Sequence, residues 1–60
     1  MYKYLLIETE FDNNSDEVKK SYLQKLIGKD ELYYLERKAD RNGIVTSFIG
    51  KNYIITVALV

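Results

Sequence analysis

The 60-residue chain predicts a single small α+β domain spanning residues 1–60. Its expected form is one helix on a four-stranded, mostly antiparallel sheet, with elements in the order β-α-β-β-β. Three observations predict it. The closing segment 52–60 is apolar at both odd and even positions, which is how a strand reads when both faces are covered. Asn42-Gly43 and Gly50-Lys51 are dipeptides that suit tight hairpin turns. Val18, Tyr22, Leu23, Leu26 and Ile27 recur at helical spacing between a cap-rich stretch and Gly28.

Taken in order, residues 2–9 read as a first strand whose centre, Leu5-Leu6-Ile7, is apolar on both faces. Phe11-Asp12-Asn13-Asn14-Ser15 then breaks the pattern with turn and cap residues. A helix follows over 15–27, with Asn14 as cap, Glu17 completing a capping-box-like pair and Gly28 supplying the left-handed stop. Charge is sorted accordingly: the acids of 8–17 precede Lys19, Lys20, Lys25 and Lys29, which complements the helix dipole. Lys19 falls inside the apolar arc and must reach water along its stem.

Residues 30–39 satisfy two periodicities. Leu32, Leu35 and Ala39 suit a second helix, giving the alternative order β-α-α-β-β. Tyr33, Leu35, Arg37 and Ala39 alternating with Tyr34, Glu36 and Lys38 suit a strand, favoured because Asn42-Gly43 follows as a hairpin turn into 44–49. A two-residue loop there pairs Arg41 with Ile44; a three-residue loop with Gly43 in a bulge pairs Asp40 with Ile44 and reverses every side chain. The first leaves only Arg37 awkwardly placed. At Gly50-Lys51 a II′ turn sets Phe48 opposite Tyr53, Thr46 opposite Ile55 and Ile44 opposite Val57, the face on which the helix should pack. The expected strand order is 2-3-4-1, with the fourth strand interior and the first parallel to it through a right-handed crossover. Val45, Ile49, Ile54, Ala58 and Val60 would then form an apolar patch on the opposite face.

Composition narrows the chemistry. Nine basic and nine acidic residues cancel, which argues against a duplex-DNA binder and against an acidic mimic of DNA. Without Cys or His the chain has no disulfide and none of the common zinc or copper ligands. A domain this short buries only about 60% of its unfolded surface, so good packing or self-association must supply the rest. No stretch approaches the ~20 apolar residues of a membrane span, nor resembles a secretory leader, so the expected location is cytoplasmic. The absence of Pro beside abundant Lys, Asn, Ile and Tyr is the composition of AT-biased coding, as in many low-GC bacteria and their phages.

Asp12-Asn13-Asn14-Ser15-Asp16 matches the start of a calcium loop, but Glu17 stands where the turn glycine belongs and Leu23 where the bidentate glutamate belongs. It reads as a cap loop. The serines lack any His partner, the glycines are isolated, and the carboxylate pairs Glu8/Glu10 and Asp30/Glu31 sit in solvated stretches. No cofactor or catalytic set is predicted. Six tyrosines suit core and interface packing; the alternative is stacking of single-stranded nucleic acid on a sheet by Tyr33, Tyr34 and Arg37. The same three residues suit a protein hot spot.

The function predicted from the sequence is therefore non-enzymatic. It is a protein–protein interaction module that self-associates as a dimer and occludes a partner protein, in the manner of a small phage-type inhibitor. Its expected interface comprises Ile49, Ile54, Thr56, Ala58 and Val60, with Tyr33, Tyr34 and Arg37.

Overall fold

The computed structural model describes residues 1–8 and 15–60. Strand β1 (Tyr2–Leu6) is followed by helices α1 (Asp16–Ile27) and α2 (Lys29–Asn42), then strands β2 (Ile44–Ile49) and β3 (Tyr53–Leu59). The strands form one antiparallel sheet in the order β1-β3-β2. The class is α+β, but the expected four strands and single helix are corrected: three strands and two helices are described, in the order β-α-α-β-β.

The correction falls on residues 30–39, which lie within α2. Leu32, Leu35, Glu36 and Ala39 are its buried residues, at the i, i+3, i+4, i+7 spacing of one helical face. A strand there would have turned Leu35, Arg37 and Ala39 to one side, whereas the helix keeps both apolar groups inward and Arg37 in water. Asp30 and Glu31 in the first turn and Arg41 in the last complement the dipole. Gly43, read as part of a hairpin, is instead the helix stop: its backbone is left-handed (φ 81°) and its N–H donates to the Ala39 carbonyl.

The helices are joined through one residue. Gly28, at φ 91°, donates its N–H to the Gln24 carbonyl while its own carbonyl accepts from the Leu32 N–H, closing α1 and opening α2. At the other end of α1, Ser15 is the cap, its hydroxyl accepting from the Val18 N–H at 3.3 Å. Asn14, expected in that role, lies outside the described residues. Leu23 is fully buried, Leu26 and Ile27 pack against the core, and Val18 is half-exposed and Tyr22 more than a third exposed, so the fully buried part of the stripe is narrower than expected.

β1 and β2 both pair antiparallel with β3, so the crossover through the two helices leaves a gap one strand wide that β3 fills. The interior position expected for the closing strand is observed, but β1 runs antiparallel to it rather than parallel. The hairpin also differs. Phe48 opposes Ile54 and Thr46 opposes Thr56 across a three-residue loop, Gly50 to Asn52, one residue longer than the two-residue turn. Since side chains alternate, that single step reverses all of β2: Val45 and Ile49 face the helices and Ile44, Thr46 and Phe48 face away. Tyr53, Ile55 and Val57 meet the helices as expected, joined by Tyr4 and Leu6 from β1. The core lies between that sheet face and Leu23, Leu32, Leu35 and Ala39.

Candidate functional site

Both helices pack on one face of the sheet, and the alternation of side chains defines what remains on the other. There β1 contributes Lys3 and Leu5, continued by Ile7; β3 contributes Ile54, Thr56 and Ala58; β2 contributes Ile44, Thr46 and Phe48. Phe48 is 76% exposed, Ile44 57%, Ile7 52% and Leu5 47%. Lys3 is the one charged strand residue on this side. In the middle, the Thr46 and Thr56 hydroxyls are 3.3 Å apart, a cross-strand pair that satisfies itself. An apolar surface with a self-contained polar centre and one cation offers contact area but neither a cleft nor a general acid or base.

Ile54, Thr56 and Ala58, predicted as interface residues, lie together on this face and are half-buried. Ile49 does not: it packs against the core from the helix side, because the longer hairpin loop reversed β2. Val45, expected in the same patch, is buried among the core residues. Val60 follows β3 with its side chain exposed and its N–H donating to the Met1 carbonyl. Tyr33, Tyr34 and Arg37 sit on α2, not on a strand; Tyr33 and Tyr34 are exposed, and the Arg37 guanidinium lies 6.0 Å from the Tyr33 ring centre. They occupy the helical layer, away from the open sheet face. Leu5, Ile7, Ile44 and Phe48 were missed, and the extra loop residue Asn52 is the feature that would have found the two on β2.

The other polar assembly ties the helices to β1. Tyr4 donates to the Glu36 carboxylate at 2.6 Å, and Lys20 of α1 approaches the same oxygen at 3.3 Å. One turn along α2, Asp40 accepts from Tyr2 at 2.6 Å. Burial, and then the bond to Glu36, pushes the Tyr4 phenol well above its ordinary value; the bond to Asp40 raises Tyr2 to about 12. Two tyrosines two apart on a strand therefore meet two carboxylates four apart on a helix. Glu36 is 6% exposed, and its Oε2 accepts from both a hydroxyl on β1 and an ammonium on α1, so its role is to hold three elements together. Beside Tyr2 and Tyr4 a shallow cavity of about 240 Å³ is lined also by Met1, Asp16, Glu17 and Lys20.

Among the described residues no group of three metal-ligating side chains converges. The partial calcium-loop pattern falls largely on residues 12–14, outside the described residues. No described helix is long and apolar enough to cross a membrane. Comparison with protein-family models, curated proteins and solved structures finds no match.

Proposed function

We propose that the protein is a non-enzymatic interaction module that binds protein surfaces through the open face of its sheet and self-associates. The observation that carries this reading is the uncovered side of the sheet, where Leu5, Ile7, Ile44 and Phe48 are each about half or more exposed around Ile54, Thr56 and Ala58. An antiparallel sheet can leave one side to water, but such a side is ordinarily polar. Here it is apolar apart from two threonines and Lys3. Phe48 is the natural anchor, since a large aromatic ring surrounded by half-buried aliphatics is the composition of an interface centre. A partner held there would be acted on by occlusion, its own surface masked.

The single-stranded nucleic-acid reading required aromatics arrayed on a sheet with cations around them. Tyr33, Tyr34 and Arg37 are on a helix and the open sheet face has one cation, so the protein-binding reading is the better supported.

Sedimentation of the wild-type chain and of Phe48→Lys tests the proposal. The expected result is concentration-dependent association of the wild type, weakened about tenfold or more by the substitution, with an unchanged circular dichroism spectrum. A wild-type chain that stays monomeric at about 1 mM, where an interface worth roughly −4 kcal/mol would show, removes self-association.

A further inference from the structure

We infer that the self-association proposed above runs through the edge of β2, with a second copy of this chain docked antiparallel along Ile44–Ile49 to make one continuous sheet. The inference rests on that reading and names its geometry. β2 lies at one margin of the sheet, and no other described strand pairs with its outer side. The Leu59 N–H donates to the Gly43 carbonyl at 2.9 Å, which fixes the hydrogen-bonding phase of the β2–β3 ladder. Backbone groups alternate along an antiparallel strand, so Val45, Ser47 and Ile49 bond to β3 while Ile44, Thr46 and Phe48 direct their N–H and C=O groups outward.

Those outward groups are self-complementary. Setting Thr46 opposite the partner's Thr46 about a two-fold axis places Ile44 opposite the partner's Phe48, and Phe48 opposite the partner's Ile44. All three are then hydrogen-bonded pairs, each exchanging two bonds. The same register covers the two most exposed apolar side chains of β2 with one another, as an aromatic–aliphatic cross-strand pair. It also extends the open apolar face without interruption across both copies.

The two margins of the sheet differ in a way that selects β2. Natural edges are guarded by charge, proline, bulges or a covering element. β1 carries Lys3 within it and has Asp16, Glu17 and Lys20 of α1 beside Tyr2 and Tyr4. β2, Ile44-Val45-Thr46-Ser47-Phe48-Ile49, has no charge, no proline and no bulge in its pairing with β3. Two copies brought together there meet no like charge on the strand.

Amide hydrogen exchange at low and high protein concentration reads the pairing directly. The amides of Ile44, Thr46 and Phe48 should gain protection as concentration rises, while those of Tyr2, Tyr4 and Leu6, which face outward on β1, should not. Two substitutions separate edge from face. Thr46→Pro removes an outward N–H at the two-fold and should weaken association at least about 100-fold, whereas Leu5→Lys, on the open face but at the far margin, should leave it unchanged. Because the chain has no native Cys, Thr46→Cys should also give a disulfide-linked dimer, hydrogen-bonded pairs lying about 5.5 Å apart at Cα. Association that survives Thr46→Pro and is lost in Leu5→Lys would mean stacking through open faces, overturning edge pairing and sparing the module reading. A monomeric wild type would remove both. If Thr46→Pro fails to fold, or both variants are monomeric, the exchange pattern decides: no added protection at Ile44, Thr46 and Phe48 overturns the inference.

Discussion

Ile54 and Ile55 are adjacent, chemically identical and on the same central strand, yet they belong to different surfaces. Ile55 is fully buried beneath the helices, whereas Ile54 is half-buried on the open side. Both faces of β3 are apolar, so hydrophobicity alone does not say which side the protein covers for itself. What decides is supply: each helix offers one apolar stripe, and both stripes, Leu23 with Leu26 and Leu32 with Leu35 and Ala39, are spent on the same side. Nothing in residues 1–8 or 15–60 remains for the other.

Truncating each isoleucine separates the two surfaces most strongly. Ile55→Ala should cost about 2–5 kcal/mol, enough to unfold much of a domain this small, while Ile54→Ala should cost well under half as much. Urea denaturation followed by circular dichroism measures both. Equal losses would mean that the open side is covered in the folded monomer.

The polar tie across the covered side comes next. Tyr4→Phe keeps the ring and leaves the buried Glu36 carboxylate with Lys20 alone, for an expected loss of about 1–3 kcal/mol. The same contact predicts an alkaline limit. The Tyr2 and Tyr4 phenols are raised in the folded state above the ordinary tyrosine value of about 10. Their protonated forms therefore favour the fold fully below about pH 10, and that contribution disappears as pH climbs through the folded values, about 12 for Tyr2 and higher for Tyr4. Stability measured from pH 9 to 12 should fall more steeply in the wild type than in Tyr4→Phe, and phenolate absorbance should show a late-titrating fraction. Superimposable pH profiles would discount the Tyr4–Glu36 bond.

The smallest expected effect separates backbone from packing. Gly43 is left-handed, and a Cβ there would meet nothing within 4 Å, so Gly43→Ala should cost about 1 kcal/mol through conformation alone. Gly43→Asn should cost less, because Asn tolerates that region. A loss as large as that of Ile55→Ala would show that the α2–β2 junction is packed more tightly than its geometry indicates.

Only part of this architecture was legible in the residues. The two-sided apolarity of 52–60 marks β3 as an interior strand, and the alternation of Tyr53, Ile55 and Val57 marks its covered face. Residues 30–39 were not legible, because Leu35 and Ala39 satisfy both a strand and a helix and Asn42-Gly43 serves equally as hairpin turn or helix stop. The distinction lay in Leu32 and Glu36. Glu36 reads as a surface residue until Tyr4, 32 positions away, supplies a hydroxyl for it. The candidate site was half legible: Ile54, Thr56 and Ala58 follow from β3 alone, but Ile44 and Phe48 depend on whether the loop at Gly50 holds two residues or three.

The central strand is also the element made after all the others named here. β1 and β2 never pair with each other, so during vectorial synthesis neither has a ladder to join until β3 has been polymerised. The helical hairpin can form early from local contacts, but β1 must wait, its Leu5-Leu6-Ile7 run open to the solvent and to neighbouring nascent chains. Folding speed should accordingly be governed by how fast β3 inserts between two strands already emerged.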